Sequence, residues 1–161
     1  MNNGTIETEY FVESIAFLLR ETFEGSPEDR PSAYLDRGIG VFNTLEDVPA
    51  EMASRASNGT TVAAHTEHAK FYLDRLCEFI KGRTEAVNWE DSWLIETVNA
   101  EEWVALQDSV RRSYVAAMRC IAETRDWDER EVGMAIGLVA HTAYHLGAVR
   151  QILKVSNKAF V

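Results

Sequence analysis

The chain contains four histidines, and they fall in two close pairs. His65 and His68 are three apart in T-V-A-A-H-T-E-H-A-K-F-Y-L, and His141 and His145 are four apart in V-A-H-T-A-Y-H-L-G-A-V. Met134, Leu138, His141, His145, Ala148 and Ile152 recur at spacings of four and three, the repeat of a seam that faces a helical core. On a helix, residues i and i+4 lie roughly 40° apart and about 6 Å along the axis, so two imidazoles can converge on one ion. A buried imidazole needs a polar partner, and the leucines, valines and alanines around this pair supply none. One divalent cation satisfies three imidazoles at once. Neutral imidazole suits zinc, nickel or iron, and three such ligands leave a position for water or substrate.

The third ligand comes from the other pair. Relative to the apolar stripe through Val62, Ala69, Leu73 and Leu76, His65 lies nearer the centre and His68 farther round the helix. Phase favours His65, together with His141 and His145. His68 is then an alternative third ligand, a partner behind the ligands or a residue at the cavity rim. Tyr72 and Tyr144 are candidates to hydrogen-bond a substrate in that cavity, or else packed tyrosines. Glu67 is a candidate base, although its helix position reads as a polar face. A ferritin-like di-iron site needs Glu-x-x-His pairs, and no histidine here has a glutamate three residues before it. The zincin H-E-x-x-H is also missing, because Thr142 follows His141.

These residues need helices to position them. Pro27, Pro31 and Pro49 are the only prolines, which leaves the rest of the chain free to be helical. The periodicity predicts helices over residues 8–23, from 58 or 60 to 81, over 100–124 and from 128 or 129 to 155. A weaker stretch over 33–48 reads as a helical connection interrupted by two glycines. Residues 83–98, with Trp89 and Trp93, read as a loop that packs onto the bundle and roofs the cavity or covers its end. No strand-type alternation, repeat or low-complexity tract is evident. The expectation is one all-α domain over 1–161, an antiparallel four-helix bundle with long connections.

Composition narrows the partners. A net charge of −10 and a pI near 4.8 oppose binding to a polyanion, so nucleic acid is not expected. The N-terminus has no signal-like segment and no stretch offers about 18 uninterrupted apolar residues, which points to a cytoplasmic protein without a membrane partner. Cys77 and Cys120 lack C-x-x-C spacing and read as buried free thiols. Asn58-Gly59-Thr60 reads as a turn into a helix cap.

The helix-two segment T-V-A-A-H-T-E-H-A-K-F-Y-L, the connection N-W-E-D-S-W and the last-helix run H-T-A-Y-H-L-G-A-V-R-Q-I-L together resemble the DinB-like family of metal-binding four-helix bundles. That family includes YfiT-type proteins and the bacillithiol- and mycothiol-dependent transferases. The resemblance spans nearly the whole chain. It implies three histidine ligands, here His141, His145 and either His65 or His68, and it implies homodimers paired through helix faces. It also implies a metal-dependent enzyme acting on a small-molecule substrate, either an S-transferase using a low-molecular-weight thiol or a related hydrolase. The alternative is a non-catalytic metal- or ligand-binding domain, or a dimerisation domain.

Overall fold

The computed structural model describes residues 4–29 and 31–158. Among these there are six α-helices and no strand: α1 (Thr8–Glu24), α2 (Val41–Glu46), α3 (Ala50–Ala53), α4 (Val62–Ile80), α5 (Ala100–Glu123) and α6 (Glu129–Lys158). A 3-10 turn, Trp89–Trp93, interrupts the connection between α4 and α5. The four long helices lie within a residue or two of the expected segments, apart from the start of α4 and the C-terminus of α6. The stretch over 33–48 is helical only in α2.

Helix α1 stops at Gly25, whose φ of 89° favours glycine and whose N–H donates to the Glu21 carbonyl at 2.9 Å. The chain then returns so closely that a Cβ on Gly40 would lie 2.5 Å from the Gly25 nitrogen. The Glu21 carboxylate, fully buried, closes this turn by accepting the N–H groups of Ala33 at 2.7 Å, Tyr34 at 3.0 Å and Leu35 at 2.7 Å. Helix α4 opens at Val62 rather than earlier, because Asn58 and Gly59 both take positive φ and turn the chain. Thr61 caps it by accepting from the Ala64 N–H, and its own hydroxyl donates to the Glu96 carbonyl at 2.7 Å. An Asn99–Glu102 capping box starts α5.

Contacts at the helix ends fix direction. Thr61 bonds Glu96 near the start of α4 and α5, whereas Cys120 Sγ reaches the Cys77 carbonyl near their ends, so these two helices run the same way and not antiparallel as expected, the long connection between them allowing it. Helix α6 runs opposite to α4: His65 meets His145, His68 meets His141, and Gly137 faces Leu76. Helix α1 follows the direction of α6, with Phe11 against Trp127 at one end and Phe23 near Val149 at the other. Because α4 and α5 are parallel, the connection between them must travel back along the whole length of α4.

The core between the long helices centres on Leu19, Leu73, Ile121 and Leu138, each at most 1% exposed. Burial of each such leucine or isoleucine contributes about 1.5–3 kcal/mol. Helix α6 is long and apolar enough by length and composition to cross a membrane, a property shared by core helices. Here Ala135, Leu138, Thr142, His145, Val149 and Ile152 form its buried face.

Candidate metal centre

All four histidines meet where α4 crosses α6. One imidazole nitrogen from each of His68, His141 and His145 lies within 4.8 Å of the other two. His68 Nε2 is 3.1 Å from His141 Nε2, and His65 Nδ1 is 2.8 Å from His145 Nδ1. His145 is 4% exposed, His65 8% and His68 9%. The structure therefore brings together every histidine expected at the site, with His68 in the three-nitrogen cluster and His65 against His145 Nδ1.

Stripe phase placed His68 toward the edge of the buried face, but α4 is covered over a wider arc than its apolar stripe suggests. Helix α6 packs on one flank, α5 on another, and the returning connection lies over the seam. Trp93 stacks on His68 with ring centres 3.9 Å apart and stands edge-on to His65 at 5.5 Å. Trp89 packs against Tyr72 at 4.7 Å. The tryptophan connection thus roofs the histidines.

Ser92, which sequence reasoning did not single out, sets the state of His68. Its hydroxyl donates to the Trp89 carbonyl at 2.6 Å and lies 2.7 Å from His68 Nδ1. A hydroxyl has one proton. With that proton committed to Trp89, Ser92 accepts from His68 Nδ1–H, and His68 Nε2 is left as a lone pair facing His141. This is the arrangement in which a ligating histidine is oriented through its other ring nitrogen. The only advance signal is a serine between two tryptophans, and it becomes informative once the connection is folded over α4.

Tyr72 lies face to face with His141, ring centres 3.6 Å apart and planes 13° apart, so it holds the imidazole plane. Tyr144 meets His145 edge-on at 4.9 Å but is 70% exposed, at the rim. Glu67 ion-pairs with Lys70 at 3.9 Å, and burial raises its carboxyl above the usual range despite that cation.

Among the described residues no carboxylate neutralises the cluster, and burial favours uncharged rings. Burial, reinforced by the neighbouring histidines, pushes His145 down to about 3, and burial with His68 pushes His141 down to about 4. Burial also lowers His65 and, together with His65, His68. At neutral pH these are neutral imidazoles with lone pairs available.

The donor set fits a divalent cation. His141 Nδ1 is buried and has no hydrogen-bond partner, so protein contacts alone leave a polar atom of this cluster unsatisfied. Tetrahedral ligation of zinc at about 2.0–2.1 Å separates the donor nitrogens by roughly 3.4 Å, within small side-chain adjustments of the observed cluster. Beside His65 and His145 lies a cavity of about 30 Å³, with apolar walls that include Phe23, Leu45, Val110 and Val149. No protein-family model, curated protein or solved structure matches the chain, so the site is characterised by its own geometry.

Proposed function

We propose that the chain is a DinB-like helical bundle that holds one divalent metal ion through His68, His141 and His145 and serves as a metal-dependent enzyme on a small molecule. The observation that carries this reading is the convergence of three neutral imidazoles from two helices, with His68 fixed by Ser92 in the tautomer that presents Nε2. An ion held by three imidazoles lowers the pKa of a bound thiol or water, the chemistry of an S-transferase or a hydrolase.

The chain's own residues supply position and dryness. Tyr72 and Trp93 hold two of the rings by stacking, and His65 accepts from or donates to His145 Nδ1 and so orients that ring. The tryptophan connection excludes water from one side. The exposed Tyr144 stands where an entering substrate would pass.

Protein purified without a histidine tag, stripped and then titrated separately with zinc, nickel and iron(II) tests the site. About one ion per chain is expected. His68→Ala, His141→Ala and His145→Ala should each abolish tight binding, while His65→Ala should weaken it by roughly 10–100-fold, as expected of a residue that orients a ligand. Loss with His65→Ala and retention with His68→Ala would exchange their roles, and no binding at all would refute the site. Turnover of an electrophile with a low-molecular-weight thiol, dependent on the ion, tests the enzyme reading. Tight binding without turnover would leave a metal-binding domain.

A further inference from the structure

Remote from the histidines, the parallel course of α4 and α5 brings together the chain's two cysteines. Cys77 lies in the last turn of α4 and Cys120 in the last turn of α5. The Cys120 thiol donates to the Cys77 carbonyl oxygen at 3.6 Å. Both are free thiols with little exposure, 7% for Cys77 and 1% for Cys120. Small buried thiols commonly serve only as packing. This pair differs because the Cys120 sulfur lies directly against Cys77 and because Cys120 forms part of the wall of an open cleft of about 560 Å³ between the ends of α4 and α5.

The two thiols are not equivalent. The neighbouring Cys77 side chain lowers the Cys120 thiol to about 7 against the opposing effect of burial, with the Lys81 ammonium and the Thr124 hydroxyl adding to it. Cys77 is pushed up by the neighbouring Cys120 and by burial. Cys120, the one of the two that lines the cleft, is thus the nucleophile and Cys77 the partner that follows. In the cleft the carboxylates of Glu123, Asp126, Asp128 and Glu131 outnumber the cations of Lys81 and Arg125. An anionic oxidant is repelled there, and a small neutral one is not.

We propose that Cys120 and Cys77 form a two-cysteine redox site that a small neutral hydroperoxide oxidises to an intramolecular disulfide joining α4 to α5. In the first step the Cys120 thiolate attacks one peroxide oxygen. The S–O bond forms, the O–O bond breaks, and the departing oxygen takes a proton and leaves as water or an alcohol. In the second step Cys77 gives up its proton and its sulfur attacks the Cys120 sulfenic acid. The S–S bond forms, the S–O bond breaks, and the hydroxide combines with that proton as water. The two thiols lose two electrons and the peroxide gains them. An external thiol restores the pair by exchange.

The test uses the reduced full-length protein and a small molar excess of hydrogen peroxide. The intact mass should fall by about 2 Da, and non-reducing digestion should yield one peptide pair linked through Cys77 and Cys120, both reversed by dithiothreitol. Cys77→Ser should stop at a sulfenic acid on Cys120 that dimedone traps, and Cys120→Ser should be labelled at Cys77 about tenfold less. Circular dichroism confirms that each variant is folded, and the wild-type experiment needs no substitution. Two thiols still free after peroxide treatment of folded wild-type protein would overturn the proposal. So would disulfides found only between chains.

Discussion

Ser92→Ala removes the acceptor that fixes His68 while changing little else, because the side chain is fully buried and loses a single oxygen. In the variant His68 has two options. It keeps the Nδ1 proton without a partner, at a cost of about 1–3 kcal/mol for a buried unsatisfied donor. Otherwise it moves the proton to Nε2 and no longer presents a lone pair to the cluster. Either way the ion loses the same stabilisation, and partners of this kind set metal affinity by roughly 10–100-fold. That range corresponds to about 1.4–2.7 kcal/mol. Competition against a chromophoric chelator at neutral pH measures it, with stoichiometry expected to remain one ion per chain. Ser109→Ala is the matched control: Ser109 also donates to the carbonyl three residues before it, at 2.7 Å, yet it lies on α5 away from the histidines. Equal affinity in Ser92→Ala and wild type, or an equal loss in both serine variants, would refute the tautomer argument.

Two predictions concern stability. At neutral pH the buried histidines are unprotonated in both folded and unfolded chains. Below the ordinary value of 6.5 only the unfolded chain takes up protons freely, since His145 is held down to about 3 and His141 to about 4. Metal-free protein should therefore lose about 1.4 kcal/mol per pH unit for His145 alone as pH falls from 6.5 toward 4. Urea denaturation at pH 7, 6 and 5 checks this, and a pH-independent midpoint would contradict it. Glu21→Ala leaves three N–H groups without their buried acceptor and should cost about 3–5 kcal/mol, read in the same assay at pH 7. A change below about 1 kcal/mol would show that water replaces the carboxylate.

Much of the helical layout was legible because apolar period and helix breakers are local signals. The starts and ends of α1 and α5 follow directly from them, as does the inward phase of His141 and His145. Periodicity carries no direction, however, so the parallel course of α4 and α5 does not emerge from it. Helix α4 starts later than the periodicity predicts because Asn58 adopts a left-handed conformation that its residue type permits but does not require. Stripe phase separated His65 from His68, whereas burial did not, since the cover over His68 comes from residues 89–93, distant in sequence. Ser92 acquires its meaning only through that same long-range packing.

The return of the chain over α4 has a kinetic consequence. Residues 81–99 are tied down by Ser92 to His68, Glu96 to Thr61 and Val98 to Ser54, together with the stacking of two tryptophans. Detaching that segment breaks these few links and leaves the helices packed, so it requires far less free energy than global unfolding. A ligand of the histidines therefore exchanges with solvent without unfolding of the chain. Residence time and thermal stability are thereby set by different parts of the molecule. Amide hydrogen exchange near Asp91 should outpace that in the middle of α4 and track the rate of ligand release.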